Sequence, residues 1–122
     1  MNGLLVGLWW WLAMELTGTA TFYAAGVMDE VAANRLAWGQ VAPCAECVGM
    51  VALLEPEWIG RRAWLQAPGR GIEGPFLVID CAQRAHRAAL LAQGWVVDVD
   101  WETGRRWGMR GPLAGVRVFV EH

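Results

Sequence analysis

Asp80 closes the apolar run Pro75 to Asp80 (PFLVID), and Asp98 lies in the run Trp95 to Val99. A carboxylate at the end of an apolar strand is partly desolvated, and desolvation favours the protonated form that general acid work requires. If the two strands lie close together, the pair can flank one groove. Glycan cleavage uses such a pair: one group protonates the glycosidic oxygen and a second stabilises or abstracts. Asp98 also has a structural role open to it, since Asp98 or Asp100 stands just before Trp101-Glu102 and can cap a helix starting there.

The thiols offer other chemistry. In an exported protein, Cys44 can pair with Cys47, or either of them with Cys81, leaving one cysteine free. Cys44, Cys47, Cys81 and His86 also make a Cys3His zinc set, although only the Cys-x2-Cys half has familiar spacing. The expectation is no cofactor and no metal, with zinc as the alternative. Thioredoxin-like redox chemistry fits less well, because Cys44-Ala-Glu-Cys47 opens no helix of a βαβ unit and follows Pro43. His86, between Arg84 and Arg87, reads as a surface or interface histidine. Six tryptophans lie beyond the N-terminal segment. Trp38 and Trp58 fall in expected loops and are candidate sugar platforms, whereas Trp64 and Trp95 fall in strands and are candidate core.

These residues need elements to hold them. Thr19 to Ala24 reads as a strand, Met28 to Leu36 as a helix or a loop with a helical turn, and Cys47 to Leu54 as a buried strand ended by Glu55-Pro56-Glu57. Arg61 to Gln66, Pro75 to Asp80, Trp95 to Val99 and Val116 to Val120 follow as strands. Pro68 to Gly71 is a turn. Gln83 to Gln93 reads as a helix with Ala85, Ala89 and Ala92 on one side and Gly94 as its stop; Trp101 to Met109 reads as a short helix. The pattern is mainly β, a small α+β domain.

Composition excludes several classes. The chain has 122 residues, enough for one domain, and its ten basic residues are all arginine. It has no lysine and no serine, hence no serine nucleophile, no lysine Schiff base and no phosphate loop ending in Gly-Lys-Ser/Thr. Net charge is −2 with acids and arginines interspersed, which argues against a nucleic-acid partner. Residues 1–18 stand apart: from Gly3 to Met14 no side chain is polar. They read as an apolar N-terminal helix serving as membrane anchor, docking helix or signal-like segment, with one further domain over 19–122.

Several segments, in order, resemble one family. Gly18-Thr-Ala-Thr-Phe-Tyr23, Ala32-Ala33-Asn34-Arg35 running to Gly39, Gly74 to Cys81, Val97-Asp98-Val99-Asp100 with the following helix, and Gly115-Val116-Arg117-Val118 resemble the rare lipoprotein A (RlpA) double-psi β-barrels, with expansins and barwin more distant. The resemblance implies a six-stranded double-psi β-barrel with short helices and a groove that binds glycan. It implies catalysis through Asp80 and Asp98 and puts Asn34 in the substrate groove, where Trp38 and Trp58, placed in loops by the residues themselves, are the candidate substrate-binding or interface tryptophans. One departure bears on catalysis: where active members carry a histidine this chain has Asn34, whose amide exchanges no proton near neutral pH. The expectation is therefore an exported or membrane-tethered module of the cell envelope. It would bind peptidoglycan glycan or serve as a structural subunit, contact a membrane or larger assembly through residues 1–18, and have weak or no catalysis. The alternative is a lytic transglycosylase using Asp80 as general acid/base, a reaction in which the sugar's own 6-hydroxyl is the nucleophile.

Overall fold

The computed structural model describes residues 13–122. In chain order the elements are β1 (Ala13–Phe22), α1 (Val27–Ala37), β2 (Gly49–Leu53), β3 (Arg62–Gln66), β4 (Glu73–Cys81), α2 (Arg87–Ala92), β5 (Trp95–Val99), α3 (Trp101–Arg106) and β6 (Leu113–Glu121). Single 3-10 turns occupy Pro56–Trp58 and Arg84–His86. The protein is mainly β: six strands close into a barrel in the order β1-β5-β2-β4-β3-β6, with short helices outside it. β1 runs parallel to β5 and β2 parallel to β4; the other four pairings are antiparallel.

Alternation along the strands sorts the side chains. Leu65, Phe76, Val78, Val97, Val99, Val116, Val118 and Val120 fill the interior together with Val51 and Leu53. The outer face of β2 and β4 is covered by α1, where Met28 and Ala32 pack with Val41, Ala52, Leu77 and Ile79. Gly18 permits a close approach: Thr19 N–H donates to the Gly94 carbonyl at 2.8 Å, and a Cβ on Gly18 would collide with that same oxygen.

The expected helix over 1–18 is corrected where the structure describes it. Residues 13–18 are the first half of β1, paired antiparallel from Ala13↔Glu121 to Gly18↔Val116. Ala13, Met14, Glu15 and Leu16 have good helix propensity, but a waiting partner strand supplies a hydrogen-bonded ladder that propensity does not outweigh. The described barrel thus reaches back at least to Ala13, six residues before the expected boundary at 19; the rest of that segment, residues 1–12, lies outside the described residues. No helix among the described residues is long and apolar enough to cross a membrane. The expected helix over 83–93 is also altered. It splits into the 3-10 turn and α2, with no buried residue in either, and Ala85, Ala89 and Ala92 face solvent.

Asp100, and not Asp98, caps α3. Its Oδ1 accepts from Thr103 N–H at 3.1 Å, while its Oδ2 accepts from Met50 N–H at 3.2 Å, so one nearly buried carboxylate joins α3 to the start of β2. Asp100→Ala removes the cap and the acceptor of Met50, and is expected to destabilise the fold by about 2–3 kcal/mol in urea unfolding. A loss under about 0.5 kcal/mol would show that the link is dispensable.

Candidate functional site

The strand register lays out a row of four residues. Thr21 of β1 is opposite Asp98 of β5, Asp98 is opposite Ala52 of β2, and Ala52 is opposite Asp80 of β4. Their neighbours Ala20, Val51, Leu53, Val97 and Val99 point into the core, so Thr21, Asp98 and Ala52 lie on the outer face, and a register shift between Val51 and Ala52 brings Asp80 into line with them. Two inter-strand spacings separate Asp80 from Asp98, roughly 10 Å at the backbone. Ala52, with its single methyl, is the floor between them. Above this floor is a cleft of about 520 Å³ whose lining includes Thr21, Tyr23, Asp80, Asp98 and Trp95. The 83–93 segment supplies Gln83, His86, Leu90 and Gln93 to its rim, which is what this solvent-facing stretch contributes to the site.

The two carboxylates sit in different surroundings. Asp80 is held by donors: Arg35 Nη2 at 3.0 Å and Cys81 N–H at 2.9 Å on Oδ1, and the Tyr23 hydroxyl at 2.9 Å on Oδ2. Arg35 reaches across from α1, also donating through Nε to the Ile79 carbonyl at 3.0 Å and through Nη1 to Gln40 Oε1 at 2.6 Å. Among the described residues, no arginine pairs with Asp98. Burial pushes its carboxyl above the usual range, and the charge of Asp80 pushes the same way. Hydrogen bonds from Thr21 and Trp95 oppose both. The Thr21 hydroxyl donates to Asp98 Oδ1 and accepts from Trp95 Nε1 at 2.8 Å, so the indole fixes the hydroxyl that fixes the acid. Burial, followed by the neighbouring Asp80 charge, raises the Tyr23 phenol well above the usual tyrosine range, which keeps it a donor. Burial and Asp80 likewise raise the Cys81 thiol, which disfavours the thiolate a nucleophile needs.

Of the expected site residues, Asp80 and Asp98 meet in one cleft. The three assigned to substrate binding do not join them. Trp58 is 7% exposed and packs into the barrel interior, because the 3-10 turn at Pro56–Trp58 folds it inward. Trp38 is 68% exposed just past α1 and does not line the cleft; Asn34 is exposed on α1 and does not line it either. Thr21, Tyr23 and Trp95 line the cleft beside the two acids, and Arg35 holds Asp80 from α1. Thr21 and Tyr23 belong to the Gly18–Tyr23 motif and were within reach of the sequence; Arg35 is one residue beyond the expected Asn34. Trp95 is buried as expected, whereas Trp64 is half-exposed.

Cys44 and Cys47 form a disulfide, and Cys81 is free. This dismantles the alternative zinc set: two of its four ligands are oxidised, and they line a groove separate from the cleft that holds Cys81 and His86. Among the described residues, no group of three or more His, Cys, Asp and Glu could hold a metal ion.

Because the Asp98 carboxyl titrates above its ordinary 3.8, ionising it in the folded state is unfavourable. Its contribution to stability is complete below that value and is lost as pH rises through the folded pKa. Asp98→Asn removes the penalty. The variant is expected to gain stability relative to the unchanged protein as pH rises above the ordinary 3.8, read by urea unfolding at each pH. A difference independent of pH would refute the shift. No family model, curated protein or solved structure matches this chain, so the geometry of the cleft and the motifs that line it carry the functional reading.

Proposed function

We propose that the chain is an RlpA-like double-psi β-barrel of the cell envelope whose cleft binds peptidoglycan glycan. The observation that carries the reading is the row Thr21, Asp98, Ala52, Asp80 on the floor of one cleft. Three segments of the family resemblance, around Thr21, Asp80 and Asp98, come from distant parts of the chain and meet there. The double-psi assignment draws support from the two parallel pairs, β1 with β5 and β2 with β4, inside a closed and otherwise antiparallel barrel. The site has the polar chemistry of sugar recognition: carboxylates, hydroxyls and amides that exchange hydrogen bonds with sugar hydroxyls, beside the aromatic rings of Tyr23 and Trp95. The Cys44–Cys47 disulfide fits an oxidising compartment outside the cytosol. Residues 1–12 are the candidate contact with a membrane or larger assembly.

A second reading, lytic transglycosylation, is favoured by the contrast between the two acids. Asp98, biased towards its protonated form, suits the general acid better than Asp80, whose oxygens are occupied by Arg35, Tyr23 and the Cys81 amide. Asp98 would give its proton to the glycosidic oxygen as the bond to the anomeric carbon breaks. As carboxylate it would then take the proton of the sugar's 6-hydroxyl while that oxygen closes on the anomeric carbon. Asp80, anchored across the floor, would stabilise the developing positive charge.

Purified protein is expected to co-sediment with peptidoglycan sacculi, and Asp80→Ala to weaken that binding by about tenfold. Absence of co-sedimentation overturns the glycan reading. Release of soluble anhydro-sugar fragments, lowered by about 10² or more in Asp98→Asn, supports the transglycosylase; binding without release by the unchanged protein leaves the binding module alone.

A further inference from the structure

The Cys44–Cys47 disulfide lies away from the cleft and does little to hold the barrel. It bridges residues three apart, and the stabilisation a cross-link provides is smallest for so short a loop. It joins no two elements of the fold. The surrounding segment is secured independently: Val48 N–H donates to the Pro75 carbonyl at 2.8 Å, Cys47 N–H to the Cys44 carbonyl at 3.2 Å, and Glu46 pairs with Arg62 at 3.1 Å. Both cysteines are half-exposed, and they form part of the wall of a groove of about 400 Å³. The rest of that groove is apolar, with Leu36 on α1 and Val48 beside the disulfide 41% and 56% exposed. A disulfide set in an apolar groove presents an electrophilic sulfur to whatever the groove holds, and a thiolate is the nucleophile that attacks it.

We propose that this groove is a thiol–disulfide exchange site that takes an extended polypeptide segment carrying two reduced cysteines flanked by apolar side chains. The proposal is independent of the glycan reading. The apolar flanks dock against Leu36 and Val48, and a thiolate of the segment attacks one sulfur of the Cys44–Cys47 bond. That bond breaks, a mixed disulfide forms, and the other sulfur of the pair leaves as thiolate. The second thiolate of the segment then attacks its own cysteine in the mixed disulfide and releases the remaining sulfur of the pair. Two electrons and two protons pass in all: the segment is oxidised to a disulfide, and Cys44 and Cys47 are reduced to thiols. The chemistry belongs to the pair and its turn, and does not depend on a βαβ context.

The test uses the full chain and two fluorescent dithiol peptides of equal thiol spacing, one with leucine and valine flanks and one with glutamine and threonine flanks. Mass mapping should place the mixed disulfide on Cys44 or Cys47. The apolar peptide should reduce the pair about tenfold faster than the polar one. Val48→Asp and, separately, Leu36→Gln should remove that preference while leaving reduction by dithiothreitol unchanged, with far-ultraviolet circular dichroism confirming the fold. Equal rates for the two peptides, a preference that survives both substitutions, or a mixed disulfide mapped only to Cys81 would each overturn the proposal.

Discussion

Strand β2 is hydrogen-bonded to β5 on one side and to β4 on the other, and this insertion sets the spacing of the two cleft carboxylates. A strand of five residues places Ala52 between Asp98 and Asp80: alternation turns Ala52 and Asp98 to the outer face while Val51 and Leu53 turn inward, and a register shift in the β2–β4 pairing, which skips Ile79, sets Asp80 opposite Ala52. A register slip of one residue would send Ala52 to the core and bring Val51 or Leu53 outward to fill the floor of the cleft. The buried Asp100 opposes such a slip, because its carboxylate holds the N–H of Met50 and caps α3 with its other oxygen.

Electrostatics then separates two chemically identical side chains. Asp80 meets a guanidinium brought by α1, a phenol brought by the end of β1 and a backbone amide of its own strand. Asp98 meets a threonine hydroxyl and, through it, an indole, under burial that disfavours its charge. One acid is anchored by charge and the other is desolvated beside it. Two carboxylates in unlike environments can divide acid and charge-stabilising roles.

Much of the barrel was legible because strand signals are local. The runs at 75–80, 95–99 and 116–120 lie within observed strands and the run at 61–66 contains β3, since β-branched and apolar residues in alternation or in short runs suit a half-buried or buried pleat. Residues 13–18 were illegible for the same reason: Ala, Met, Glu and Leu carry a helical preference, and only the presence of β6 converts them to strand. Trp58 misled because a tryptophan beside Glu55-Pro56-Glu57 looks like loop surface, whereas the turn that follows Pro56 tucks it into the interior.

By itself the sequence determined the mainly β character, most strand positions, Asp80 and Asp98 as the acids worth following, and the excluded serine, lysine and phosphate-loop chemistries, all of which depend on residue type and near neighbours. Tertiary structure alone decided that Asp98 lies beside Thr21, that Arg35 rather than Asn34 reaches Asp80, and that Asp100 also holds the N–H of Met50. Those relations join residues 45 to 77 positions apart. Strand order and register set them, and both depend on how the whole barrel closes.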